Sequence, residues 1–144
     1  MDSTYDEMIA TGLAAHEAGD VLLAERKYRE VLEADPENGD ANHALGLLMI
    51  GLDKPVLSFS YFRAALNAHP DRLHLWLDFF SALVAENRLP EAWDLLAQAR
   101  ENALDSDLLD CIEADILSRV CEHNVSVVGE NERQHGFSSS QSLA

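Results

Sequence analysis

Apolar residues recur every three to four positions along most of this chain, and no stretch alternates regularly between apolar and polar residues. The first pattern is that of amphipathic α-helices and the second would be expected for strands, so the sequence predicts an all-α protein. Short breaks that contain turn or helix-start residues divide the pattern into pairs of helices, at residues 19–20, 51–55 and 87–90. Pro36 and Pro70 end second helices, because the residue before a proline avoids the helical conformation.

The helix pairs repeat at a fixed interval. Thirty-four residues separate Gly12 from Gly46, and the same interval separates Pro36 from Pro70. Two further positions of the unit follow this period. One holds the small residues Ala24, Ser58 and Ala92, and the other holds the larger Tyr28, Phe62 and Leu96. A fixed period of this length is typical of solenoids, in which each unit buries its apolar face against a neighbour.

The repeated positions resemble the tetratricopeptide repeat, whose signature has an aromatic residue, a Leu-Gly pair, an alanine followed by an aromatic, and a closing proline. The second unit matches best, and the matching residues are Leu45, Gly46, Phe62, Ala65 and Pro70, against Gly12, Ala24, Tyr28 and Pro36 in the first unit and Trp76, Ala92 and Ala99 in the third. The resemblance covers about residues 5–104. It implies a right-handed α-solenoid of three antiparallel helix pairs, over about 5–38, 39–72 and 73–104.

The third unit departs from the repeat at two positions. Phe80 stands where the other units have glycine, and Leu104 stands where they have proline. A small residue at the first position lets two helices approach closely. We therefore expect a wider spacing between the two helices of the third pair.

The C-terminal part of the chain changes in character. Residues 105–122 predict a capping helix with a polar outer face, and its apolar stripe consists of Leu108, Leu109, Ile112, Ile116, Leu117 and Val120. Together with the repeats it is expected to form one domain over residues 5–122. Residues 123–144 predict a disordered polar tail or linker. The alternative is that Val125, Val127, Val128 or Phe137 folds back onto the repeats.

The composition excludes some partners. The formal charge is −16, and residues 1–40 carry 11 acidic against three basic residues, while residues 41–72 carry two against three. Nucleic acids and anionic membranes are bound through Lys and Arg, so neither is an expected partner. No apolar run reaches the length of a membrane span and the first residues are acidic, so we expect a soluble, cytoplasmic protein. The acidity itself either attracts a basic partner or serves solubility.

The sequence contains no pattern of residues that indicates catalysis. The six histidines lack metal-ligand spacing, and no glycine-rich loop suits a phosphate. Cys111 and Cys121 are too far apart on one predicted helix for a disulfide, and we expect two buried or half-buried thiols. We therefore predict no enzyme activity, no cofactor and no metal site.

One face of the first helices repeats without being needed to pair them. We call it the groove stripe, and its nine core members with the flanking His74 are Ile9, Leu13, His16, His43, Leu47, Ile50, His74, Leu77, Ser81 and Val84. The resemblance implies that these positions line the concave groove where peptides dock. The alternative is that the neighbouring repeat and the cap cover them. Asp6, Asp40 and His74 lie one turn before the apolar part, so one edge is expected to be acidic.

The stripe favours a function in protein binding. We predict a module that holds an apolar or amphipathic protein segment, with or without a basic flank, as an adaptor, a scaffold or a small chaperone like those of type III secretion. In tetratricopeptide domains that hold the acidic tails of chaperones, Lys, Asn and Arg line the groove. The matching positions of this sequence are Ile9, Leu13, Ala44, His74 and Asp78, so such tails are poor candidates. The alternative function is that of a non-catalytic region before a bacterial glycosyltransferase or sulfotransferase domain. Self-association through the end surfaces is a third possibility.

Overall fold

The structure is a computed structural model that describes residues 2–102 and 104–122. The chain divides into two compact parts, Met1–Leu104 and Asp105–Ala144. The predictions made for residues 123–144, both the disordered tail and its folding back onto the repeats, lie outside the described residues.

The first part, Met1–Leu104, contains six α-helices that pack in consecutive antiparallel pairs. Their bounds are α1 Asp2–Glu17, α2 Val21–Ala34, α3 Gly39–Gly51, α4 Pro55–Ala68, α5 Leu73–Ala85 and α6 Leu89–Glu101. Each helix packs mainly on the one before and the one after it, and α1 also contacts α3. The first helices α1, α3 and α5 thus follow one another along the array. This arrangement confirms the predicted all-α fold of paired helices.

Local signals explain where these helices begin and end. The side chains of Asp20 and Asn38 accept hydrogen bonds from the first turns of α2 and α3. The turn inside each pair contains one residue with positive φ, at Gly19, Asp53 and Asn87. These positions are 34 residues apart, and Gly, Asn and Asp are the residue types that adopt this left-handed conformation at least cost. The period of the sequence is therefore also a period of the backbone.

The first two pairs are held together by a ring that lies against a glycine. A methyl group added to Gly12 would come within 2.5 Å of Cε1 of Tyr28, and one added to Gly46 within 2.5 Å of Cε1 of Phe62. Both aromatic side chains are fully buried. Close packing of this kind leaves no room for a larger residue at either glycine, so the spacing of these two helix pairs is fixed.

The third pair is built differently. Phe80 replaces the glycine and is buried, so no ring–glycine contact closes this pair. The wider spacing expected from the sequence stays a prediction. Nearby, Phe79 packs at 6.0 Å from the Phe62 ring, and the Arg63 guanidinium lies 5.1 Å from the centre of the Phe79 ring. Aromatic and cation–π contacts thus join the third unit to the second.

The second part of the chain is described over residues 105–122 and contains a helix over residues 106–122. Asp105 starts it by accepting hydrogen bonds from the backbone of residues 107 and 108. Leu109 and Ile116 are buried as expected, whereas Leu117 is exposed. The expectation that the two thiols are buried or half-buried was wrong, because Cys111 and Cys121 lie off the buried stripe and are exposed. The capping role of this helix stays a prediction.

The tight packing at Gly46 can be tested within one helix. We expect Gly46→Ala to lower the free energy of unfolding by about 1–3 kcal/mol, because the new methyl group overlaps the Phe62 ring. Gly51→Ala is the matched control, since its methyl group would lie 4.0 Å from His16 Nε2, an ordinary van der Waals distance. Its stability should be unchanged or slightly higher because alanine favours helix. Urea denaturation followed by circular dichroism measures both, and equal effects would contradict the packing described.

Tyr28 leads to a second prediction. Its hydroxyl is buried without a hydrogen-bond partner among the described residues, and burial, together with the nearby Glu17 charge, raises its pKa. We expect Tyr28→Phe to keep or raise the free energy of unfolding at pH 7, by up to about 1 kcal/mol, since an unpaired buried hydroxyl is costly. The second unit already has phenylalanine at this position.

The same variant changes the dependence of stability on pH. Above about pH 10 an unfolded tyrosine loses its proton, while the raised pKa keeps Tyr28 protonated in the folded protein. Stability of the wild type must therefore fall as pH rises through this range, and that of Tyr28→Phe should fall less. Denaturation at pH 7 and pH 10.5 measures the difference, with Tyr61→Phe as a half-buried control on α4. A loss of stability in Tyr28→Phe at pH 7 would show that the hydroxyl has a partner.

Candidate functional site

The groove stripe of the first helices is largely open to solvent. Its apolar members Leu13, Leu47 and Ile50 keep 45%, 38% and 39% of their surface exposed. His74 and Ser81 are also exposed, and the half-buried members are His16, His43, Leu77 and Val84. The packed side of the same helices contrasts with it, since Leu45 and Leu48 are buried. The neighbouring repeats therefore do not bury most of the stripe, in contrast to the alternative considered from the sequence.

Ile9 is the exception and requires a correction. It keeps 7% of its surface exposed and belongs to the buried cluster that includes Ala41, Ala44 and Leu45. Ile9 therefore contributes to the packing of α1 against the second unit, and little of its side chain is available to a partner. The first unit contributes Leu13 and His16 to the open surface instead.

Contacts between units join the stripe across the helices. The His43 ring on α3 lies 5.4 Å from the His74 ring on α5, and its Nε2 is 2.6 Å from Oδ2 of Asp78. On the other side, His16 of α1 lies next to Gly51 at the end of α3. The stripe is therefore one surface across three helices.

The charges on this surface are of one sign. Helices α1, α3 and α5 contain no Lys or Arg, whereas they include Asp6, Asp40 and Asp78. The Asp40 carboxylate is 2.7 Å from the guanidinium of Arg72, which lies just before α5. Such an ion pair at the surface is weak and partly neutralises this edge. The edge at the helix N-termini thus remains acidic at Asp6 in the first repeat.

Within residues 2–102 and 104–122, no group of three or more His, Cys, Asp and Glu side chains is placed to hold a metal ion. The same residues include no helix that is long and apolar enough to cross a membrane. What the stripe offers is apolar side chains at one end and carboxylates at the other.

Further exposed apolar residues were not included in the sequence-based prediction. Leu52, Val56 and Leu57 lie in the turn after α3 and the first turn of α4, and all three are exposed. Leu22 is also exposed and stands 34 residues before Val56, so the feature recurs in the first unit. The period was a signal that could have identified this pair. A helix-face analysis missed it because these residues lie at the start of the second helices.

Comparison with known proteins gives the following matches. No protein-family model matches the chain. The type IV pilus assembly protein PilF of Pseudomonas aeruginosa is 27% identical over 103 residues, which are 72% of this chain and 41% of PilF. Its solved structure superposes with a TM-score of 0.59 over 68% of this chain and 44% of that one, at 28% identity. The chain thus spans about two fifths of the length of this curated relative.

Two other solved structures share the fold. A mutant O-GlcNAc transferase of Thermobaculum terrenum is 28% identical, with a TM-score of 0.60 over 73% of this chain and 20% of that one. The TPR2B domain of yeast Sti1, solved in a complex with pHsp70, has a TM-score of 0.65 over 80% of this chain and 97% of that one. Its identity of 15% supports a common fold.

The exposure of the stripe leads to a prediction on stability. We expect Leu47→Glu to change the free energy of unfolding by less than about 1 kcal/mol, because the new carboxylate remains in water. Leu48→Glu is the matched comparison one residue further along α3, where a charge would be buried, and should cost about 3 kcal/mol or more. Thermal denaturation of both variants checks this. If Leu47→Glu unfolds the protein as Leu48→Glu does, the stripe is part of the core.

Proposed function

We propose that this chain, which has the fold of tetratricopeptide-repeat structures, is an interaction module that binds an apolar or amphipathic protein segment along the groove stripe. The observation that carries the proposal is the exposure of Leu13, Leu47 and Ile50 on a surface that crosses three helices. Covering apolar surface stabilises a complex by about 25 cal/mol per Å², which favours a partner with apolar anchors.

The charge of the stripe limits the choice of partner. An acidic tail would bring carboxylates toward helices that contain no Lys or Arg. A bound carboxylate needs such a donor to replace its water, so binding of an acidic C-terminus is disfavoured. A segment with a basic flank would instead meet carboxylates at the N-terminal ends of the first helices.

The proposal assigns this chain no catalytic role. The TPR2B domain of Sti1, in its complex with pHsp70, is an example of the same fold acting by binding. We further propose that the protein acts in the cytoplasm as an adaptor, a scaffold or a small chaperone. It would hold its partner through side-chain contacts and would need no cofactor.

A second candidate function is favoured by the lengths of the matched proteins. The matched region is 20% of the O-GlcNAc transferase chain and 41% of PilF, so arrays like this one occur inside longer proteins. In that case the repeats would present a partner to a domain elsewhere in the same polypeptide. The full-length transcript separates the two possibilities, because an open reading frame that continues into a catalytic domain supports the second.

The binding surface can be tested by affinity capture. Wild type, Leu47→Glu and Leu77→Glu are used as baits, and proteins that co-purify are quantified by mass spectrometry. We expect partners of the stripe to fall at least tenfold with both variants, because a buried unpaired charge costs several kcal/mol at an interface. Leu22→Glu is the control, since Leu22 is exposed on α2 and lies outside the stripe. Partners that survive both stripe variants would place the binding surface elsewhere.

A further inference from the structure

One acidic residue of α5, Asp78, contacts the stripe through His43 and does not belong to its N-terminal edge. Asp78 occupies the position of Ala10 and Ala44 in the first two units, 34 residues apart, so the repeat has a small apolar residue there and the third unit a carboxylate. Its side chain is 37% exposed. A carboxylate half-buried beside apolar residues is well placed to hold a cation, because part of its water has already been removed.

The carboxylate is held from one side by α3. His43 Nε2 lies 2.6 Å from Asp78 Oδ2, and the His43 side chain is only 18% exposed. The ring of His43 is itself packed, at 5.9 Å from the Phe62 ring and 5.4 Å from the His74 ring. A carboxylate has two oxygens and about four acceptor positions, of which this contact uses one. Asp78 is therefore oriented by the protein, and its partly exposed carboxylate still has acceptor positions.

The arginines around this site already have partners. Arg72 pairs with Asp40 at 2.7 Å, Arg88 pairs with Glu91 at 3.1 Å, and Arg63 donates to Gln98 at 2.7 Å. The first helices contain no Lys or Arg. A Lys or Arg of a bound segment would therefore pair with Asp78 without displacing these arginines from their partners.

The apolar end of the stripe extends beyond the first helices. Ile50 lies in the last turn of α3, and Leu52, Val56 and Leu57 follow it around the turn into α4, all of them exposed. Asp6, Asp40 and His74 are near the opposite ends of their helices. From the N-terminal to the C-terminal ends of the first helices, the surface therefore changes from acidic to apolar.

We infer that the occupant of the stripe is an amphipathic helix with a basic polar face, one of whose Lys or Arg side chains binds Asp78. The inference depends on the proposed function and adds a charge and an orientation to it. The apolar face of such a helix would cover Leu47, Ile50 and the turn residues Leu52 and Val56, and its basic side would face Asp78 and Asp6. An amphipathic helix has its charged and apolar side chains on opposite sides, as this surface requires.

The probes are labelled 18-residue peptides of leucine and lysine with helical spacing, compared with a leucine and glutamate peptide of the same spacing and a leucine and lysine peptide of scrambled order. Fluorescence anisotropy measures their affinity for the full chain. We expect the helical lysine peptide to bind, and the glutamate peptide and the scrambled peptide to bind at least tenfold more weakly. The scrambled peptide has the same charge, so it corrects for attraction by the net charge of −16.

Variants of Asp78 test the anchor. Asp78→Asn should weaken binding of the helical lysine peptide by about threefold to tenfold, the effect of one partly exposed charge-assisted contact. Asp94→Asn removes the same charge from the exposed side of α6 and should change affinity by less than about twofold. Asp78→Lys should reverse the preference toward the glutamate peptide. Circular dichroism confirms that each variant is folded, and Asp78→Glu, which restores the carboxylate, should recover most of the affinity.

The outcomes separate this inference from the function on which it depends. If lysine and glutamate peptides bind equally well and Leu47→Glu abolishes both, the stripe is the binding site and the basic preference is wrong. If Asp78→Asn and Asp94→Asn have equal effects, Asp78 is not the anchor. If the scrambled peptide binds as well as the helical one, the occupant is not an amphipathic helix. If no peptide binding responds to Leu47→Glu, the proposed function itself fails.

Discussion

The contact of an aromatic ring with a glycine one helix away is the constraint on which the rest of this structure depends. Tyr28 against Gly12 and Phe62 against Gly46 leave no space for a side chain between paired helices. The contact sets both the distance and the rotation of each helix about its axis. Once that rotation is fixed, the stripe about 100° further around the first helix cannot face its partner helix. The open binding surface is thus a geometric consequence of how the pairs close.

This dependence explains what the sequence could predict. The period places glycines, aromatics and helix breaks at fixed intervals, and these features determine the pairing, so the helix pairs were predicted well. The recurrence of a left-handed residue at Gly19, Asp53 and Asn87 follows the same period but involves three residue types. A search for identical residues does not find it, whereas the tolerance of Gly, Asp and Asn for positive φ explains it.

The site was less predictable because its details depend on how one unit packs on the next. Ile9 and Leu13 are both apolar and lie one helical turn apart. Ile9 is nevertheless buried against the second repeat, whereas Leu13 is exposed. The contact of His43 with Asp78 joins residues 35 positions apart on different units. Helical periodicity assigns a residue to a face, but it does not give the angle between successive units. That angle decides which residues of one face touch the next helix.

The distribution of charge matters more for this surface than its total. Two basic residues of α2 are paired within that helix, Arg29 with Glu25 and Lys27 with Glu30, and such pairs contribute little field at a distance. The first helices contain carboxylates and no Lys or Arg, and the ion pair of Asp40 with Arg72 compensates only part of their charge. In an acidic protein of this size, the net charge can serve solubility alone. Here the residues that remain uncompensated lie beside exposed leucine and isoleucine side chains, and that juxtaposition is what a partner with both apolar and basic groups would recognise.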